Sequence, residues 1–178
     1  KTSTAYMLRT VLAHAGYKTA LIGTLKSMLL EEEYCPQTDK QSLENFVTMT
    51  TPDPEVLYPS MKEMADNGAE VLIMETSSHA LALDKLAPIE FEIGIFTNLS
   101  GEHLDFHKNE ENYLSAKAKL FSKCKKGLIN ADDIRSADII AKAKCMVLTY
   151  AIRKKADYHA LQIRSNGVFG SEYVIHSS

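Results

Sequence analysis

The sequence predicts an α/β fold, a doubly wound and mostly parallel sheet with a small antiparallel accessory sheet, on three observations. Short apolar runs alternate with segments of helical period from Ser3 to Thr149, which is the pattern of successive strand–helix–strand units. Two of those runs, Val71 to Met74 and Phe91 to Phe96, end abruptly in polar clusters, as strands do when their carboxyl ends border a ligand crevice. After Tyr150 apolar and polar residues alternate on either side of Ser165-Asn166-Gly167, the signature of a hairpin.

Helical period runs from about Ser3 to Ala15 and stops at Gly16, a residue that closes helices because it accepts the left-handed conformation. Lys18 to Ile22 reads as a short buried strand. From Gly23 to Thr48 the pattern is mixed and polar, with Pro36 and the solvated acid run Glu31-Glu32-Glu33, and reads as an excursion of short irregular strands. Asp53 is placed to cap a helix that carries proline in its first turn and ends near Asn67-Gly68. Residues 70–74 follow as a strand, Ser78 to Leu83 as a helical turn, and 91–97 as another strand. A helix from about Glu110 to Ser122, a strand from Gly127 to Asn130, a helix from about Ile134 to Lys142 and a strand from Met146 to Thr149 complete the alternation. Tyr158 to Ile163 and Glu172 to Ile175 then form the accessory antiparallel region, about 151–178.

A chain of 178 residues is long enough for one well-buried core and short for two, so residues 1–178 read as one domain. No apolar run approaches the roughly 20 residues of a membrane span, which argues against insertion. Net charge is −3 and the lysines are scattered, so the basic stripe that nucleic acid binding requires is missing. Cys35, Cys124 and Cys145 are odd in number and lack metal-type spacing. Reduced thiols in a cytosolic protein are therefore expected, and a structural zinc is not. The start at Lys1 without methionine or signal peptide, and the end inside a strand-like pattern, suggest an excised piece.

Three segments bring chemistry to the strand ends. Lys1-Thr2-Ser3 opens a helix in the way that the second half of a phosphate loop does, where the amine meets β/γ-phosphates and the hydroxyl meets Mg²⁺. A helix-start lysine and threonine also arise by accident, and locally that reading is the stronger. Glu75, directly after four apolar strand residues, suits a carboxylate that holds a nucleotide-bound metal, or simply a solvated strand end. His103 is a candidate metal or phosphate ligand, although a lone histidine is more often structural, and His79 and His107 stay nearer that structural reading.

Lys117 is the lysine in an unexpected place. Tyr113, Ala116, Leu120 and Phe121 occupy its helical neighbour positions, so it shares the apolar side of its helix. Burial favours the neutral amine, which reacts with CO₂ or acts as a nucleophile. A snorkelling lysine with its head in water fits the same pattern and comes first on pattern alone.

Met74-Glu75-Thr76-Ser77-Ser78-His79-Ala80-Leu81, Phe96-Thr97-Asn98-Leu99-Ser100-Gly101-Glu102-His103-Leu104-Asp105-Phe106-His107 and Tyr113-Leu114-Ser115-Ala116-Lys117-Ala118-Lys119-Leu120-Phe121 together resemble the central ATPase domain of the Mur ligases. Within that superfamily the likeness is greatest to the MurE group, and it extends over nearly the whole chain, including Gly16 to Thr24, Thr50-Thr51-Pro52 and Gly127 to Asp133. The resemblance implies a bacterial, cytoplasmic, ATP- and Mg²⁺-dependent ligase of peptidoglycan synthesis. Its substrates would be UDP-MurNAc-L-Ala-D-Glu and an amino acid, L-lysine or meso-diaminopimelate, joined through an acyl phosphate.

Carried over by position, the resemblance implies that Lys1, Thr2 and Ser3 belong to the phosphate loop, with Thr2 on Mg²⁺, and that Asn98 lies beside the metals. Glu75 matches the glutamate on the ATP-side ion, and His103 matches the histidine on the second. Lys117 matches a lysine carbamylated by CO₂ that supplies an anionic oxygen to that second ion. Thr50, Thr51, Ser77 and Lys85 match contacts to the UDP-MurNAc-peptide. Lys85 stands where many members have arginine, Met49 where a polar residue is common, and Glu102 where aspartate is more usual. The phosphate-loop glycines and the amino- and carboxy-terminal domains are not within the sequence, so the piece alone is not expected to ligate. Two other readings remain: a folylpolyglutamate synthetase, which shares the ATP-site motifs, and an inactive interaction module that keeps only the fold.

Overall fold

The computed structural model describes residues 1–99 and 104–177, at Leu104 the backbone only, and it divides into two compact units, 1–87 and 88–178. The first holds α1 (Thr2–His14), β1 (Thr19–Ile22), β2 (Ser27–Leu29), β3 (Glu32–Tyr34), α2 (Lys40–Thr48), α3 (Pro54–Asp66), β4 (Val71–Met74) and α4 (Ser78–Ala82). Its sheet has the order β3-β2-β1-β4. β1 runs parallel to β4, with Thr19 opposite Val71 and Ile22 opposite Met74, and antiparallel to β2. All of β1 is buried, which explains the apolar run from Ala20 to Ile22. Leu21, Met28 and Ile73 meet Ala5 of α1 in a core bordered by Tyr6, Leu8, Leu12 and Val71.

Glycine closes both long helices of this unit. Gly16 (φ 92°) follows α1 and Gly68 (φ 91°) follows α3, each letting the next amide turn back to a carbonyl of the last helical turn. α2 lies where irregular strands were expected. Its helical state is set by Asp39, whose Oδ1 accepts the N–H groups of Gln41 and Ser42, both at 3.0 Å, and by Phe46, buried edge-on against Tyr34.

The second unit holds β5 (Phe91–Phe96), α5 (Leu104–His107), α6 (Glu110–Ala118), a 3₁₀ turn (Lys119–Ser122), β6 (Cys124–Asn130), α7 (Ser136–Lys142), β7 (Met146–Ala151), β8 (Tyr158–Ser165) and β9 (Ser171–Ser177). The sheet order is β5-β6-β7-β8-β9; the first three pairings are parallel and the last antiparallel. The α/β class with a mostly parallel sheet is thus as the sequence predicts. The β8–β9 ribbon is the expected accessory hairpin, but it is not a sheet of its own. Tyr150 pairs with Tyr158 and Ala151 with His159, so the ribbon extends the parallel sheet at its edge. Asp132 secures the turn before it, its carboxylate accepting the N–H groups of Ile152, Arg153 and Lys154.

The helix expected over 110–122 is α-helical only to Ala118 and then tightens into the 3₁₀ turn. It is capped by Asn109, whose side chain accepts the Asn112 N–H at 2.8 Å. Among the described residues no helix is long and apolar enough to cross a membrane.

Candidate functional site

Glu75 sits just beyond β4 and is only 3% exposed. Its backbone N–H still donates to the Ile22 carbonyl at 2.9 Å, so the parallel pairing of β1 and β4 carries the residue into position. A buried carboxylate needs compensating donors, and three converge here. Oε2 accepts from the Thr2 hydroxyl at 2.9 Å and the Thr24 hydroxyl at 3.1 Å, while Oε1 accepts from the Thr24 N–H at 3.1 Å. The space is provided by Gly23, where a β-carbon would lie 2.4 Å from Oε1.

The threonine pair before α3 joins the same cluster. Thr50 and Thr24 hydroxyls are 3.1 Å apart. Thr51, 2% exposed, donates to the Glu75 carbonyl at 2.8 Å and accepts the Ser77 N–H at 2.9 Å. Ser77 in turn accepts the Ala80 N–H and caps α4. Thr2, Thr50, Thr51 and Ser77 are therefore linked to Glu75 by one hydrogen-bond network. Lys1 and Ser3 lie exposed beside Thr2 at the start of α1. The missed members are Gly23 and Thr24, an exposed residue in a stretch read as irregular; the signal was their position directly after the apolar run that ends at Ile22.

Lys85 is engaged within the first unit by Asp53, to which its ammonium is ion-paired. Asp53 was expected to cap α3, and its backbone is at the cap position, but its side chain makes no capping bond. It is taken instead by Lys85 and by the Asn45 amide. The Lys85 hydrogen bond foremost, with Asn45 adding and burial opposing, holds the Asp53 carboxyl below its ordinary range. The Tyr58 hydroxyl donates to the Lys85 carbonyl at 2.7 Å.

In the second unit the chain leaving β5 is pinned residue by residue. The Phe96 carbonyl accepts from the Tyr150 hydroxyl at 3.3 Å, and that of Thr97 from the Asn130 amide at 2.9 Å. The Asn98 carbonyl accepts from Lys117 Nζ at 3.2 Å, and the Leu99 N–H donates to Asp133 at 2.9 Å. Lys117 is half-buried, with Tyr113, Ala116, Leu120 and Phe121 all buried around its helical position. Its ammonium stands 4.9 Å from the Tyr113 ring centroid, a cation–π distance. Tyr113 stacks in turn on His107, which is 5% exposed, at 5.1 Å between rings.

Asn98 and Lys117 are thus brought together, whereas His103 lies outside the described residues. The donors about Glu75 are a carboxylate and hydroxyls, the oxygen set that suits a hard cation such as Mg²⁺. Among the described residues no three His, Cys, Asp or Glu side chains gather as a closed metal cage. Mg²⁺ bound beside phosphates needs only one or two carboxylates, so the residues fit an ion shared with a nucleotide.

The sequence profile of the Mur ligase middle domain matches residues 1–177. A UDP-N-acetylmuramoyl-L-alanyl-D-glutamate–2,6-diaminopimelate ligase of Clostridium perfringens is 38% identical over 180 residues, covering 98% of this chain and 35% of that protein. A solved structure of a ligase of the same description superposes with a TM-score of 0.81 at 26% identity, over 98% of this chain and 34% of the other. The apo form of L. casei FPGS covers 100% of this chain and 48% of its own, with a TM-score of 0.62 at 12% identity, a likeness of fold. The chain spans about a third of the length of the diaminopimelate ligases it matches.

Proposed function

Because this chain belongs to the Mur ligase family through its middle domain, we propose that it is the ATP-binding part of an enzyme that joins an amino acid to UDP-MurNAc-L-Ala-D-Glu. In this reading residues 1–178 form one functional domain of a bacterial cytoplasmic ligase, and the remaining parts of the enzyme hold the uridine end and select the amino acid. The names of the relatives favour 2,6-diaminopimelate over lysine. The γ-phosphoryl group of ATP passes to the substrate carboxylate, the amine attacks the resulting acyl phosphate, and phosphate leaves the tetrahedral intermediate as the amide forms.

The observation that carries the proposal is the hydrogen bond from Thr2, in the first turn of α1, to Glu75 at the end of β4. It brings a helix-start hydroxyl beside a strand-end carboxylate, the two groups that would hold Mg²⁺ in a nucleotide site. Lys1, Thr2 and Ser3 hold the phosphates, with Asn98 close to them in role. Thr2 and Glu75 hold one Mg²⁺, and His103 with carbamylated Lys117 holds a second. A pair of such ions offsets the repulsion between the carboxylate and the γ-phosphate. Thr50, Thr51, Ser77 and Lys85 contact the muramyl peptide; for Lys85 this means exchanging its Asp53 partner for a substrate carboxylate. The folylpolyglutamate alternative shares the ATP-site motifs and the fold, the latter at 12% identity, whereas the relatives at 34–41% identity are diaminopimelate ligases.

Replacing Lys117 in the full-length enzyme tests the assignment. Lys117→Ala is expected to lose ligation and to regain part of it with short carboxylic acids, which stand in for the carbamate. Full activity of that variant without any additive would remove the carbamate. Glu75→Gln is expected to lose Mg²⁺-dependent ATP turnover, and an unchanged Mg²⁺ titration would remove the ATP-side site.

A further inference from the structure

Two cysteines that lie 21 positions apart in the sequence have their sulfurs 3.5 Å apart in the fold. Cys124 opens β6 and Cys145 immediately precedes β7. Both are free thiols, Cys124 buried and Cys145 half-buried. The sheet is cut away to receive them. A β-carbon at Gly94 would lie 3.0 Å from the Cys124 sulfur, and one at Gly127 would lie 3.1 Å from the Cys145 sulfur and 2.7 Å from the Phe121 ring. Lys144, next to Cys145, donates its N–H to the Phe121 carbonyl at 3.0 Å, which fixes the backbone on that side.

A disulfide has its sulfurs about 2.05 Å apart, so the two thiols need to close by roughly 1.5 Å. Lys126 stands opposite Met146 in the parallel register, so Cys124 and Cys145 are one step out of register; about 4.8 Å across and about 3.3 Å along the strands place their Cα atoms within the range that disulfides bridge.

We propose that Cys124 and Cys145 are a modification site that reacts with a low-molecular-weight disulfide, such as oxidised glutathione, to form a reversible disulfide between β6 and β7. Cys145, the more accessible, attacks one sulfur of the oxidant as its thiolate; the S–S bond of the oxidant breaks and one small thiol leaves. Cys124 then gives up its proton and attacks the Cys145 sulfur, releasing the second small thiol. Two protein thiols are oxidised, one small disulfide is reduced to two thiols, and no other reactant is needed. Burial foremost holds the Cys124 thiol above its ordinary range, so the fraction able to attack, and with it the second step, rises with pH.

The bond has a route to the rest of the unit. Leu120 packs where a Gly94 β-carbon would stand, beside Cys124, and Phe121 packs over Gly127, beside Cys145. Both belong to the 3₁₀ turn that continues α6, the helix of Lys117. Closing the sulfurs therefore shifts the support of that helix. This consequence for activity, unlike the disulfide itself, rests on the reading of Lys117 proposed above.

The test is to incubate the reduced full-length enzyme with oxidised glutathione at neutral and mildly alkaline pH and to map its peptides by mass spectrometry without reduction. The expected product is a Cys124–Cys145 cross-linked peptide, two hydrogens lighter than the sum of its reduced parts. It forms faster at the higher pH, reverts with dithiothreitol and is absent from Cys145→Ser. In Cys124→Ser the glutathione adduct should persist on Cys145. Adducts confined to the exposed Cys35, or an adduct that stays on Cys145 of the unsubstituted enzyme at both pH values, would overturn the site. Ligase activity that falls and recovers with the cross-link supports the coupling to α6, and a cross-linked enzyme of unchanged activity overturns that coupling. The mass measurement is independent of whether the ligase reading holds.

Discussion

Gly23 and Glu75 share one volume: a β-carbon on the first would stand 2.4 Å from Oε1 of the second. The contact is with the far end of a side chain, so Gly23→Ala is expected to leave the fold intact and to displace the carboxylate from its three donors. The full-length variant should keep its thermal midpoint within a few degrees while Mg²⁺-dependent turnover falls about tenfold or more, which corresponds to ~1.4 kcal/mol. A magnesium titration superimposable on the unsubstituted enzyme would show that Glu75 does not need this position.

Thr24 gives Glu75 both an N–H and a hydroxyl. Thr24→Val keeps the shape and the N–H and removes the hydroxyl, which also serves Thr50. A hydrogen bond to a charged group contributes about 1.5–3 kcal/mol when buried, and exposure of Thr24 reduces that. The expected result is a several-fold higher Mg²⁺ concentration for half-maximal activity, restored by Thr24→Ser. Equal titrations for valine and serine would exclude a role for the hydroxyl.

The Lys85–Asp53 pair gives a pH signature in stability. Asp53 has its folded pKa lowered, so the unfolded chain binds the proton more readily. Its stabilising contribution is complete above the ordinary aspartate value of about 3.9 and disappears as pH falls through the lower folded value. In urea unfolding, Asp53→Asn should cost a constant amount above about pH 5 and progressively less below about pH 4. A difference between the two proteins that is the same in acid and at neutral pH would show that the charge of Asp53 adds nothing to stability.

Asp132 holds three successive amides ahead of the edge ribbon. Asp132→Ala should release the Ile152, Arg153 and Lys154 N–H groups to fast hydrogen exchange and leave the amides of β5 and β6 protected. Unchanged exchange at all three positions would mean that the turn holds itself.

The parts of the fold that were legible in the sequence are those marked by runs of apolar residues between turn signals. β1, β4 and β5 announce themselves as apolar runs, and Lys117 stands out because its i−4, i−1, i+3 and i+4 neighbours are all apolar. α2 was not legible because just one residue, Phe46, is buried in it; its helical state is set by the Asp39 cap. Asp53 has the residue type and position of a cap, but an ion pair with a lysine far along the chain competes for its carboxylate, and no local pattern reveals that. The network around Glu75 was half legible. Thr2, Thr50, Thr51 and Ser77 belong to recognisable motifs, whereas Thr24 joins through spatial proximity. The Cys124–Cys145 contact was hidden because spacing along the chain does not say that the start of β6 and the residue before β7 lie side by side.

The stretch Phe96 to Leu99 has four holders that come from four places: Tyr150 in β7, Asn130 at the end of β6, Lys117 in α6 and Asp133 in the turn before α7. It is consequently not a transplantable cassette. Exchanging this segment with that of a relative would succeed only if all of its anchors were inherited with it, so variation here is expected to be concerted rather than piecemeal.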